Sequence, residues 1–110
     1  MVWVAWAGWT ALMLALFWMP PPPAPRWDWP WLDEAIHVGS FFGWAVLARA
    51  ARRTPRWVVA IGLGLAIVTE LVQAVLPWGR TADISDVAAD AVGLGLGLGL
   101  AWLAGIARTR

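Results

Sequence analysis

Cysteine and tyrosine are both absent from this chain of 110 residues, and charged residues make up only 14% of it. Without cysteine the protein can form neither disulfides nor thiolate metal sites. The low charge, together with 61% hydrophobic residues, argues against a soluble domain of this size. The composition therefore predicts one domain, residues 1–110, whose solvent is a lipid bilayer.

Four apolar segments follow one another, at about residues 2–19, 33–51, 56–76 and 84–107. A proline-rich stretch ends the first segment, and Pro77 and Gly79 separate the last two. Each segment is about long enough to cross a bilayer as a helix. The Gly-Leu alternation from Gly93 to Leu100 also fits a strand, but an isolated strand in lipid would leave its backbone groups unsatisfied. The predicted fold class is all-α, with four transmembrane helices in a small antiparallel bundle.

The arginines predict the orientation of this bundle. Six of them fall at one end of the segments: Arg49, Arg52, Arg53, Arg56, Arg108 and Arg110. Only Arg26 and Arg80 fall at the other end, together with all seven acids. The positive-inside rule places the six arginines, and with them both termini, in the cytoplasm. The first segment has no basic start and no convincing cleavage site, so we expect a retained anchor and a multi-pass protein of the cytoplasmic membrane.

Polar residues collect near the outer ends of three segments. They are Asp33 and His37 in the second, Glu70 and Gln73 in the third, and Asp86 and Asp90 in the fourth. His37, Glu70 and Asp90 each lie a few residues inside their segment, roughly 6 to 9 Å below the interface. Ionisable groups at such depth usually mark a functional site. We therefore expect these side chains to form a pocket open to the outside, with Arg80 and Asp83 at its rim.

The charge balance of this predicted pocket leaves several interpretations open. Its carboxylates outnumber the cations that Arg80 and His37 can offer, so shared protons, a divalent metal or an amine-bearing ligand could balance them. Asp83 also fits a plain helix cap, and Arg80 also fits a headgroup anchor. A single histidine beside Asp33 is more often a hydrogen-bonded structural group than a metal ligand. We assign no residue as a metal ligand, and the sequence leaves the cofactor unknown. Glu70 is the residue that a purely structural role explains least well.

Small residues at a spacing of four predict close helix contacts. Gly93 and Gly97 share a helical face with the two acids of the fourth segment, and they form its predicted packing surface. The same spacing recurs on the opposite face and in the first segment, at Gly95 and Gly99 and at Ala7, Ala11 and Ala15. The two glycine faces predict that the fourth helix packs between two neighbours.

The polar residues, in their order, resemble the VanZ-like membrane protein family over about residues 30–100. The motifs are Asp-x-x-x-His at 33–37, Glu-x-x-Gln at 70–73, Pro-x-Gly-Arg at 77–80 and Asp-x-x-Asp-x-x-x-Asp-x-x-Gly at 83–93. The resemblance implies a small helical membrane protein of the bacterial envelope. The family's name-giving member is linked to reduced susceptibility to the glycopeptide teicoplanin. Here Glu34 replaces the usual lysine and Asp90 the usual asparagine, so the resemblance alone does not extend glycopeptide resistance to this chain.

Three functions follow from these expectations. The leading one is a pocket that binds the headgroup of a lipid or a cell-wall precursor. The alternatives are a membrane-embedded, metal-assisted hydrolase of an envelope lipid, and a structural or assembly role in which the acids join helices. Whether the chain is an enzyme is left open. We expect membrane lipids as partners and no nucleic acid, and a homo-oligomer is compatible with the little surface that four short helices bury.

Overall fold

The computed structural model describes residues 1–20, 32–78 and 84–107, which form four α-helices. They are α1 (Val2–Trp18), α2 (Leu32–Ala50), α3 (Pro55–Val75) and α4 (Ile84–Leu103). The described residues contain no strand, and the Gly-Leu repeat lies entirely in α4. The prediction of an all-α fold is therefore confirmed.

Two of these helices, α3 and α4, are long and apolar enough to cross a membrane. With 21 and 20 residues they measure roughly 30 Å, which is the thickness of a bilayer's hydrocarbon core. α1 is also apolar but has only 17 residues. α2 is less apolar because Asp33 and Glu34 lie in its first turn and Arg49 in its last. The length and composition of α3 and α4 favour a membrane protein.

The ends of α2 and α4 share one backbone arrangement. Arg52 and Gly105 both take positive φ angles, 68° and 72°, just after the helix. The next amide then turns back to a carbonyl of the last helical turn, from Arg53 to Ala48 and from Ile106 to Ala101. This turn ends α4 at Leu103, four residues before the end predicted from the sequence.

Among the described helices, α2 and α4 have the most extensive contact. Gly93 and Gly97 face α2 so tightly that a Cβ atom at either would collide with its backbone. At Gly97 the nearest atom would be the Phe42 carbonyl oxygen at 2.6 Å, and at Gly93 it would be the Val38 carbonyl oxygen. On the opposite face, Gly95 and Gly99 meet nothing within 4 Å, so only one glycine face packs inside the chain.

α1 joins the bundle through large side chains rather than through its alanines. Met13 and Phe17 are buried, whereas Ala7, Ala11 and Ala15 are exposed. Below them lies an aromatic cluster of Trp6, Trp44 and Trp57, with ring centroids 5.7 to 6.1 Å apart. Bulky aromatic surface, which buries more area than alanine, therefore decides which face of α1 points inward.

Candidate functional site

The centre of the candidate site is a hydrogen bond between His37 of α2 and Asp90 of α4. The Nδ1–H of His37 donates to Oδ1 of Asp90 over 2.7 Å, and both side chains are buried. A carboxylate acceptor at Nδ1 leaves Nε2 as the second functional atom of the ring. The close approach of α2 to Gly93, one turn further along α4, brings the two residues within this distance.

Asp86 connects this pair to the other helices. Its Oδ2 lies 3.9 Å from Nε2 of His37, which is beyond hydrogen-bonding distance but within the range of an ion pair. The Asp86 side chain also interacts with Glu70 of α3 and with Asp33 of α2. Four carboxyl groups and one imidazole from three helices therefore meet at one level of the bundle.

One wall of this cluster is built by α1. The Phe17 ring stacks on the His37 ring with centroids 4.5 Å apart and an interplanar angle of 11°. The backbone carbonyl of Phe17 accepts a hydrogen bond from Nε2 of Gln73 over 2.8 Å. Gln73 therefore belongs to the same assembly, where it holds the end of α1 against α3.

Most of the polar cluster is buried in the described part of the chain. His37, Glu70, Gln73, Asp86 and Asp90 are all at most 6% exposed. The cavities of about 320 and 340 Å³ found on the described surface lie elsewhere, one between α1 and α2 and the other at the arginine end. Among the six described members of the site, Asp33 is the one that is partly exposed.

The structure brings together six of the eight residues that the sequence singled out for binding. Asp33 is half-buried at the start of α2, and the other five are buried. Arg80 and Asp83 lie outside the described residues.

Sequence reasoning missed the contribution of α1, because Phe17 carries no charge and lies far from the motifs. Its carbonyl and that of Trp18 belong to the last turn of α1, where they have no intrahelical partner. Gln73 Nε2 and Trp78 Nε1 donate to these two carbonyls over 2.8 and 3.0 Å. The sequence did contain one signal for this contribution, because an apolar helix ends there at a run of prolines. The last carbonyls of such a helix need hydrogen-bond donors from other parts of the chain.

The arrangement also has the elements of a metal site. One ligand atom each from Asp33, His37 and Asp86 lie within 4.8 Å of one another. Ligands at about 2.1 Å from a tetrahedral zinc ion lie about 3.4 Å apart, so atoms 4.8 Å apart would have to approach by about 1.4 Å to bind zinc together. A hydrogen bond from the other ring nitrogen to a carboxylate, here Asp90, is the usual support of a metal-binding histidine.

The described residues form a bundle of four helices with a buried carboxyl and imidazole cluster near one end. Two of these helices are apolar enough to cross a bilayer, which suggests a small helical membrane protein. The model of the VanZ/LLP1 family matches residues 4–105, so the chain belongs to the VanZ/LLP1 family. The match extends beyond the motif-bearing region into α1 and confirms the resemblance seen in the sequence. Comparison with curated proteins found no match, and comparison with solved structures found none.

Proposed function

We propose that the protein is a multi-pass protein of the bacterial cytoplasmic membrane whose carboxyl-rich site binds a polar headgroup. The headgroup is that of a lipid or a cell-wall precursor, and the site faces the outer side. All four helices span the membrane in this proposal, with both termini in the cytoplasm, because the arginines and the acids of the chain separate to opposite ends.

The observation that carries this proposal is the burial of Glu70, Asp86 and Asp90 together with His37. Burying several carboxyl groups costs free energy, so a site that serves only packing would be cheaper with apolar residues. Carboxyl groups of this kind suit a cationic amine. Arg80, two residues after Trp78 in the chain, suits a phosphate. A headgroup that carries both groups, an aminoalkyl phosphate, fits this combination.

Thermal unfolding of the purified protein in a neutral detergent tests the proposal. Short-chain phosphatidylethanolamine should raise the unfolding temperature, and the same lipid with an acetylated amine should not. Glu70→Gln, Asp86→Asn and Arg80→Ala should each abolish the stabilisation, whereas Gly95→Ala, on the open face of α4, serves as the matched control. If Glu70→Gln and Arg80→Ala respond like the parent protein, the binding proposal is wrong.

A second candidate function, a metal-assisted hydrolase acting on an envelope lipid, is favoured by the close approach of Asp33, His37 and Asp86. A divalent ion held there would polarise a phosphoryl oxygen or activate water. Elemental mass spectrometry of the purified protein tests this candidate. We expect one metal ion per chain in the parent protein and none in the His37→Ala or Asp86→Asn variants. The Arg56→Gln variant, which changes the opposite end of the bundle, should keep the metal. A parent protein without metal, after purification with added zinc or manganese, would exclude it.

A further inference from the structure

The end of the bundle opposite the carboxyl cluster is strongly basic. α2 ends and α3 begins there, and the connection carries four arginines: Arg49, Arg52, Arg53 and Arg56. Arg52, Arg53 and Arg56 are exposed. The acids of the described residues lie in the opposite halves of α2, α3 and α4. This end therefore presents positive charge that no nearby acid in the described part of the chain reduces.

A cavity of about 340 Å³ opens beside these arginines. It is lined by Arg49, Pro55, Leu98, Gly99, Trp102 and Ile106, so its walls are apolar except for one guanidinium. Nη1 of Arg49 donates a hydrogen bond to the carbonyl of Arg53, which fixes the guanidinium beside the turn between α2 and α3. The volume lies within the roughly 300 to 1,000 Å³ of small-ligand sites.

A glycine, Gly99, forms part of one wall of the cavity. A Cβ atom at Gly99 would meet nothing within 4 Å, so the missing side chain leaves open space along α4. Gly95, one turn earlier, is equally open but does not line the cavity. Both glycines therefore have room for a side chain, but only a side chain at Gly99 would enter the cavity.

We propose that this cavity binds an anionic phospholipid, with an acyl chain against Leu98, Gly99 and Trp102 and the phosphate against Arg49. The occupant follows from charge and polarity together. The apolar walls suit a hydrocarbon chain, the planar guanidinium suits a phosphate, and arginines next to a bilayer attract anionic lipids. This site is separate from the carboxyl cluster, whose acids suit a cationic amine instead.

Native mass spectrometry of the full chain in a neutral detergent measures this binding. The probes are phosphatidylglycerol and phosphatidylcholine with identical acyl chains, and inorganic phosphate at the same concentration. We expect phosphatidylglycerol to bind at least about tenfold more tightly than phosphatidylcholine, because each arginine near the lipid contributes about fivefold. Inorganic phosphate, which lacks the acyl chain, should not compete.

Two sets of variants distinguish the contribution of the cavity to lipid binding from that of the arginine charges. Gly99→Leu should fill the cavity and weaken phosphatidylglycerol binding about tenfold, whereas Gly95→Leu should leave it unchanged. Arg52→Gln combined with Arg56→Gln should reduce the preference for phosphatidylglycerol over phosphatidylcholine, with little change in the binding of phosphatidylcholine.

Three results would overturn the proposal. The first is equal binding of both lipids by the parent protein, and the second is equal behaviour of the Gly99→Leu and Gly95→Leu variants. The third is a dimer in the parent that Gly99→Leu converts to a monomer whether or not lipid is present, since the cavity would then belong to an interface between two copies. None of these results bears on the amine response of the carboxyl cluster.

Discussion

His37 and Asp90, which are 53 positions apart in the sequence, are joined by a buried hydrogen bond of 2.7 Å between α2 and α4. The residue after His37 is Val38, whose carbonyl lies against Gly93, and Gly93 is one turn beyond Asp90. The hydrogen bond and the glycine contact therefore fix the same register of the two helices. Either one constrains the other, because a shift of α4 that relieved a crowded glycine would lengthen the hydrogen bond.

The energetic coupling of this pair can be measured by a double-mutant cycle. His37→Ala and Asp90→Ala should each lower the free energy of unfolding, and the double variant should lose less than the sum of the two. The difference should be about 1.5 to 3 kcal/mol, the contribution of a hydrogen bond to a charged group. Unfolding in mixed micelles with increasing denaturing detergent gives the free energies. As a control, the effects of Arg56→Ala and Asp90→Ala on the free energy of unfolding should add within about 0.5 kcal/mol. If the coupling between His37 and Asp90 is also below about 0.5 kcal/mol, the hydrogen bond is not formed.

The glycine faces of α4 should differ sharply in their tolerance of alanine. Gly93→Ala and Gly97→Ala should each destabilise the protein by about 1 to 3 kcal/mol, since the new methyl group meets the backbone of α2 and the helices must separate. Gly95→Ala and Gly99→Ala add the same methyl group in open space and should be neutral or stabilising by up to about 1 kcal/mol through helix propensity. The same unfolding assay compares the four variants, and equal losses on both faces would contradict the packing of α2 against α4.

One amide side chain, that of Gln73 in α3, forms a hydrogen bond to the end of α1. Gln73→Leu should remove the donor that caps the Phe17 carbonyl and cost about 1 to 3 kcal/mol, because a buried carbonyl without a partner pays its full desolvation. Trp78→Phe removes the donor to the Trp18 carbonyl at a more exposed position and should cost less. Hydrogen exchange localises the effect: the amides of the last turn of α1 should exchange faster in Gln73→Leu, while those of α4 stay protected. Uniformly faster exchange in all four helices would show that Gln73 supports the whole bundle and not the end of α1.

The sequence predicted those features that depend on periodicity and on charge. Helical spacing was sufficient to group His37, Glu70 and Asp90, and the structure buries all three. The face of α1 could not be predicted in this way, because nearly every residue of that helix is apolar and the spacing of its alanines competed with that of Met13 and Phe17. The stacking of the Phe17 ring on His37 was also beyond the sequence, since it comes from a helix that carries no motif.

The orientation of the bundle can be tested directly, because the chain contains no cysteine and any introduced thiol is the only one. Pro77→Cys and Ala104→Cys place thiols at exposed positions beyond α3 and α4, at opposite ends of the bundle. If the arginine-rich end faces the cytoplasm, a membrane-impermeant maleimide added to intact spheroplasts should label Pro77→Cys, and it should label Ala104→Cys only after the membrane is permeabilised. The reverse pattern would place the carboxyl cluster near the cytoplasm and contradict an outward-facing headgroup site. Labelling of both positions without permeabilisation would mean that α4 does not cross the membrane.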